Sequence, residues 1–221
     1  MGAGRSAGTR RLGIGGTDWH MSAGVIVAGG RSTRFGDTDK AVADLAGTPM
    51  IRRVADRIAG VVDELVVNCR EDQEPAIRAA MDGYEHGVRY ALDREPDLGP
   101  MAGIMTGLGA VETEYAFVVA CDMPFVDPGL AEYLFDRADG HDAAVVQLED
   151  KWYQTTQTVY RARAMADACE EALARGERKI VEPLSDLDYV VVDDELREHA
   201  DPGTFENLNT REEFEAAKSR F

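Results

Sequence analysis

Residues 25–51 read VIVAGGRSTRFGDTDKAVADLAGTPMI. An apolar run closes on two adjacent glycines, Gly29 and Gly30, and the chain then sets Arg31, Arg34 and Lys40 within one loop. Glycine lets a ligand approach the main chain closely. Successive amides can form a concave nest for an anion, and the three cations place charge around it. The chemistry suited to such a stretch is the holding of phosphate. Its spacing nevertheless matches neither common phosphate loop. A Walker loop needs G-x-x-x-x-G-K-[ST], whereas five residues separate Gly30 from Gly36 and Lys40 stands four beyond Gly36. A dinucleotide fingerprint needs G-x-G-x-x-G, whereas here the first two glycines are adjacent and the next lies six further on. Lys40 is one of only 4 lysines beside 20 arginines, which points to a need for a compact cation at that place.

A second group of polar residues follows other apolar runs. Asn68 lies near the end of ELVVNC, Asp93 follows VRYAL, and Asp122 follows YAFVVAC and precedes Met123-Pro124. A carboxylate at a strand end can hold Mg²⁺ together with phosphate oxygen, or it can simply cap a turn. Two phosphates brought together for a transfer need positioning and charge neutralisation above all. Cys121 adjoins Asp122, but no histidine adjoins it in sequence, and a phosphate-on-phosphate attack needs no thiol; a small buried residue is expected there.

The elements that must position these groups follow from periodicity and stop signals. Strands are expected at 23–28, 64–69, 88–92, 115–122, 142–149, 152–160 and 189–192. Helices are expected at 74–83, 100–112, 128–138, 161–175 and 177–185, with a terminal helix at 210–221 capped by Thr210. Another helix should open with Thr48 as N-cap and Pro49 in its first turn, bury Ile51, Val54 and Ile58, and end near Gly60. Strands alternating with helices imply a parallel or mixed sheet covered on both faces. Ligands of such sheets bind beyond the carboxyl ends of the strands, where Ala28–Gly30, Asn68, Asp93 and Asp122 fall. Residues 99–104, GPMAGI, open a helix with small side chains; they suit either an anion at its N-terminus or close packing of helix on sheet.

Composition excludes several classes. The net charge is −17 over 221 residues, and no basic stripe is present to meet nucleic acid. No apolar run approaches the roughly 18 residues that span a bilayer. The three cysteines form no CxxC pair, and their odd number argues against a disulfide framework, so a reduced, cytoplasmic setting is expected. The four histidines lack metal-ligand spacing. Residues 1–20 are glycine-rich, carry +2 where the rest carries −19, and lack an apolar h-region. They are expected to be a disordered tail ahead of one domain, 21–221. Abundant Asp and Glu with little Lys is the pattern of a protein adapted to high salt. Screening of the self-repulsion should then raise the melting temperature in molar KCl above its value in dilute buffer. A flat or falling melting temperature across that range would remove the reading.

The stretch AGGRSTRFGDTDKAVADLAGTPMI resembles the nucleotidyltransferase loop A-G-G-x-S-x-R-x-G-x-D-K followed by L-x-G-x-P-[LM]. With VVNC, GPMAGI, CDMPFVDP and FENLNTREEF in order, residues 23 to 218 resemble the molybdenum cofactor guanylyltransferase (MobA) family. The resemblance implies a Rossmann-like three-layer α/β/α sandwich with a mostly parallel mixed sheet. It also implies transfer of GMP from GTP to the phosphate of molybdopterin, Mo-bound or metal-free, with release of pyrophosphate. Ala28, Gly29, Gly30 and Arg31 then belong to the nucleotide loop and Lys40 is its phosphate-binding lysine. Asn68 and Asp93 contact the nucleoside, and Asp122 is the Mg²⁺ ligand. Lys40, Asp122 and Arg34 are the catalytic candidates. Asn207 and Asn209, in the N-x-N-T motif, lie on the acceptor side. Molybdopterin-loading proteins and recipient molybdoenzymes are the further partners implied.

Asp93 can accept two hydrogen bonds from the Watson–Crick edge of guanine or hold ribose hydroxyls. In EDKWYQTTQTVYR the family's proline-containing stretch is missing. There Gln154, Thr156 and Gln157 could hydrogen-bond a pterin and Trp152 could stack on it, or the segment is an ordinary half-buried strand. The rival functions are cytidylyl transfer to the same pterin, guanylyl transfer to another phosphorylated acceptor such as adenosylcobinamide phosphate, and a nucleotide-binding cofactor chaperone. Presence of both Lys40 and Asp122 argues against the last, since binding alone does not require both.

Overall fold

The computed structural model describes residues 21–31, 35, 39–93, 98–148, 151–193 and 196–221. The expected tail, 1–20, and Arg34 lie outside them. Nine strands are described: β1 (Ser22–Val27), β2 (Asp44–Leu45), β3 (Thr48–Pro49), β4 (Glu64–Cys69), β5 (Val88–Leu92), β6 (Tyr115–Ala120), β7 (Ala143–Gln147), β8 (Tyr153–Arg161) and β9 (Tyr189–Val192). The helices are α1 (Met50–Ile58), α2 (Glu74–Ala80), α3 (Pro100–Gly109), α4 (Pro128–Ala138), α5 (Ala162–Ala174), α6 (Leu196–His199) and α7 (Arg211–Ala217).

Seven strands form one sheet in the order β5-β4-β1-β6-β8-β7-β9. Only β8 runs against the rest, pairing antiparallel with both β6 and β7. The apolar runs that predict strands are buried on both faces. Ala23 and Val25 of β1 pack with Met101, Ile104 and Leu108 of α3 and Met165 and Cys169 of α5. Ile26 turns to the opposite layer, with Ile51, Val54 and Ile58 of α1, Ile77 of α2 and Leu130 and Leu134 of α4. The fold is the expected three-layer α/β/α sandwich. The chain passes from β1 outward to β4 and β5, then returns to place β6 on the other side of β1. That reversal makes the carboxyl ends of β1 and β6 the topological switch point.

Two of the expected helices differ from expectation. Thr48 does not cap α1: Thr48 and Pro49 form β3, paired with β2 across Ala46 and Gly47, whose φ angles are 52° and 86°, and Pro49 itself stands at the N-cap. Two consecutive positive φ values make the two-residue turn that matches strand twist. Residues 177–182 are not helical. The backbone amides of Arg178 and Lys179 both donate to Glu182 Oε2, and Arg175 joins Glu177 to Asp186. Side-chain bonding therefore replaces the helical ladder, and only a 3-10 turn, Pro183–Asp186, remains.

Helix α3 lies unusually close to the sheet. A Cβ at Gly107 would stand 2.5 Å from Val25 Cγ1, and one at Gly103 would stand 2.6 Å from Asn68 Oδ1. Of the two readings of GPMAGI, these contacts supply the packing one. Gly107→Ala is therefore expected to destabilise. Overpacking costs about 1–3 kcal/mol, against about 1 kcal/mol gained in helix propensity. A net fall of a few degrees in melting temperature is the result to look for.

Candidate functional site

The glycine loop begins where β1 ends. The amide of Ala28 donates to Asn68 O at 2.9 Å, which carries the β1–β4 ladder one residue past the strand. Cys121 N donates to Val27 O at 3.1 Å, so the loop after β6 is set against the same strand end. Asp122 follows at once. Its backbone oxygen accepts from Leu208 N at 3.0 Å, which brings residues 207–209 alongside from the far end of the chain. A small third core cluster, with Phe35, Leu45, Met50, Phe125 and Phe214, takes in Leu208 at this junction. The expected capping of α7 by Thr210 is present in full: Glu213 N donates to Thr210 Oγ1, and Glu213 accepts from the amide of Thr210.

Lys40 opens a short 3-10 turn, Lys40–Val42, whose N-cap Asp39 accepts from Ala41 N at 3.0 Å. The turn aims the ammonium at Asp122 Oδ2, 2.5 Å away, and at Asn209 Oδ1, 3.3 Å away. Both partners of the ion pair are largely buried, with side chains 12% and 14% exposed. Among the described residues, the other oxygen, Asp122 Oδ1, is buried with no hydrogen-bond partner. A buried carboxylate oxygen left unpaired is costly, and a cation would relieve it. No three His, Cys, Asp or Glu side chains converge among the described residues. A metal here would rest on this one carboxylate and on ligand oxygens. That donor set fits Mg²⁺, which is commonly held by one or two carboxylates and substrate phosphates.

A second cluster lies across β1, at the ends of β4 and β5. Asn68 is wholly buried, and its Nδ2 donates to Asp93 Oδ1 at 2.7 Å and to Ala91 O at 3.1 Å. Its Oδ1 is buried without a partner among the described residues. Burial pushes the Asp93 carboxyl above its usual range, opposed by the Asn68 hydrogen bond and the charge of Arg70. Gly29 is the reason Asp93 can stand there, since a Cβ at residue 29 would lie 2.5 Å from Asp93 Oδ2. The structure thus gathers Lys40, Asp122 and Asn209 in one group and Gly29, Asn68 and Asp93 in another, on either side of the end of β1. Arg31 and Gly30 are exposed on the loop between. Asn207 directly precedes Leu208, whose amide meets Asp122, and its own Nδ2 lies 3.4 Å from Phe205 O.

The acceptor-side expectations divide. Gln157 cannot offer its amide to a ligand. It is wholly buried, donates to Thr204 O at 2.5 Å and accepts from Thr204 Oγ1 at 2.8 Å. It sits at φ 66° within an irregularity where Thr155–Thr158 lie between two stretches of β7–β8 pairing. Thr158 Oγ1 bonds Gln154 O and Tyr160 OH bonds Thr155 O, so this bulge is tied by its own strand. Thr156 is half-buried with its hydroxyl 3.6 Å from Met123 Sδ, next to Asp122. Trp152 is 72% exposed.

Sequence reasoning missed Arg70 and Gln73. Both touch the glycine loop, and the one available signal is their place directly after β4, in NCREDQ. Arg70 Nη1 donates to Gly29 O at 2.8 Å and Gly30 O at 2.9 Å. Gln73 donates to Ala28 O and to Asp39 Oδ2.

Comparison with known proteins agrees with this geometry. The profile of the MobA-like NTP transferase domain matches residues 24–189. A protein from Natronomonas pharaonis named probable molybdenum cofactor guanylyltransferase is 54% identical, over 89% of this chain and 96% of its own length. One of the same name from Haloferax mediterranei is 39% identical, over 90% and 93%. The crystal structure of molybdopterin-guanine dinucleotide biosynthesis protein A from Archaeoglobus fulgidus superposes with a TM-score of 0.73 at 27% identity, covering 90% of this chain and 97% of that one. Among the described residues no helix is long and apolar enough to cross a membrane. With a nucleotidyltransferase sheet, a glycine loop at its switch point and a lysine–aspartate pair beside it, this chain belongs to the MobA-like NTP transferase family and is a nucleotidyltransferase.

Proposed function

We propose that this enzyme transfers GMP from GTP to the terminal phosphate of molybdopterin. An oxygen of the acceptor phosphate attacks the α-phosphorus of GTP, the bond from that phosphorus to the β-bridging oxygen breaks, and pyrophosphate leaves. The observation that carries the proposal is the Lys40–Asp122 pair at the switch point, with Asp122 Oδ1 buried and unpaired among the described residues. The names of the relatives supply guanine and the molybdenum cofactor.

The chain's own groups divide the work. The backbone of Ala28–Gly30 and Arg31 receives the triphosphate, and Arg34 adds charge to the same loop. Lys40 exchanges its carboxylate partner for phosphate oxygen when the nucleotide enters, which frees Asp122. Held by Asp122, Mg²⁺ would add neutralising charge beside the reacting phosphates. Asn209, 3.3 Å from the Lys40 ammonium, and Asn207 face the acceptor. Asp93 takes the nucleoside. Its carboxyl is already raised by burial, and two N–H donors from guanine would offset that desolvation. Cytosine presents fewer donors on its pairing edge, which favours GTP over CTP.

The test offers GTP, CTP and ATP in turn, with Mg²⁺ and molybdopterin, and identifies the product by mass. The guanine dinucleotide is expected. A cytosine dinucleotide, or no pterin product beside turnover of another phosphorylated acceptor, would replace the reading.

A further inference from the structure

The loop leaves the sheet after β1 at Ala28 and ends at Asp39, the N-cap of the turn that carries Lys40. A single side chain holds both ends. Gln73 Nε2 donates to Ala28 O at 3.1 Å and to Asp39 Oδ2 at 2.5 Å. An amide nitrogen carries two hydrogens, so both are engaged. Its Oε1 accepts from Arg70 N at 3.1 Å, which fixes the orientation of the amide. The reverse orientation would set an oxygen against a carbonyl and a carboxylate. Gln73 is 3% exposed, so little water competes for these bonds.

From Asp39 the connection continues to the reacting groups. Its second oxygen caps the turn that carries Lys40, through Ala41 N. Arg70 acts on the same loop from the same turn, through the carbonyls of Gly29 and Gly30. In a trans peptide the N–H points opposite to the C=O. Binding those two carbonyls therefore turns the amides of Gly30 and Arg31 away from Arg70, as an anion nest requires.

We infer that the turn from Arg70 to Gln73 is the backing of the phosphate loop, and that Gln73 is a positioning residue setting the loop and Lys40 at a fixed separation. The inference rests on the proposed nucleotide site. It adds that phosphate recognition depends on a residue that touches no phosphate and does not discriminate between bases.

The experiment measures the dissociation constants of Mg·GTP and Mg·CTP by calorimetry, without acceptor, beside a thermal melt. Gln73→Met keeps length and removes both donors. It is expected to weaken GTP about tenfold or more, the scale of a lost hydrogen bond to a charged group. CTP should weaken by a similar factor. Combined with Lys40→Ala, its effect should shrink, because both act through one cation; full additivity would overturn the inference. GTP affinity within twofold of the native protein would also overturn it. Should Gln73→Met fail to fold, Gln73→Glu and the double variant Gln73→Glu/Asp39→Asn decide. In the single variant the new glutamate faces the Asp39 carboxylate. In the double variant a side-chain amide at position 39 can donate to it, so the pair should recover GTP affinity lost by the single variant. No recovery would overturn the inference. Failure of the native protein to bind GTP would instead overturn the proposed function.

Discussion

Asp122→Asn is expected to reduce transfer by about a hundred-fold or more, the scale on which loss of one preorganised charge-stabilising group is felt, while the melting temperature stays within a few degrees. Asparagine has nearly the same shape. The backbone oxygen at 122 still accepts from Leu208 N, so the segment 207–209 stays docked. One side-chain oxygen remains to meet Lys40. What disappears is the negative charge that a hard cation prefers, together with the oxygen that is buried and unpaired among the described residues. A residue serving only as a turn cap would accept the change, since Asn and Asp both suit turns. Pyrophosphate release with GTP and molybdopterin, read beside a melt of the same sample, separates the two roles. Near-normal turnover would contradict the metal assignment. Asp39 is a poor substitute in that event, because its oxygens already serve Gln73 and Ala41.

The second large effect is expected from Lys40→Ala. The ammonium meets Asp122 Oδ2 and Asn209 Oδ1, so its loss removes the proposed phosphate-binding cation and leaves a largely buried carboxylate without that partner. Charge-assisted hydrogen bonds are worth about 1.5–3 kcal/mol, which is about tenfold or more in kcat/KM for GTP. Lys40→Arg should not restore activity, since a planar fork does not replace a point charge held between two oxygens on a tight turn. Unchanged GTP kinetics in the alanine variant would reduce the loop to an ordinary surface feature.

The sheet was legible because its strands are continuous apolar runs closed by polar residues. Residues 64–69, 88–92, 128–138 and 189–192 form the expected elements with those same bounds. The β2–β3 hairpin was not legible. Strands of two residues have no period, and Thr48-Pro49 carries the signal of a helix start instead. Lys40, Asp93 and Asp122 could be picked out because each follows a strand or glycine loop within one short motif. Gln73 could not, because its partners Ala28 and Asp39 lie 45 and 34 residues away. Only the pairing of β1 with β4 brings them together. Gln157 failed in the opposite sense. Its polarity suggests a ligand contact, but a bulge turns it inward to Thr204, a contact 47 residues distant that no local pattern records.

The three cysteines give the protein a property that none of the candidate site residues supplies. Cys69, Cys121 and Cys169 are free and buried. Burial holds the thiols of Cys69 and Cys169 up at about 12 and that of Cys121 higher still. Burial and raised thiol pKa values both disfavour the reactive thiolate in the folded protein. Reaction is therefore favoured when the chain opens at that place first. Two of these thiols adjoin Asn68 and Asp122, and the third lies on the buried face of α5, in the opposite layer. Alkylation rates at the three sites therefore report how often each part of the fold breathes, with the native sequence carrying its own probes.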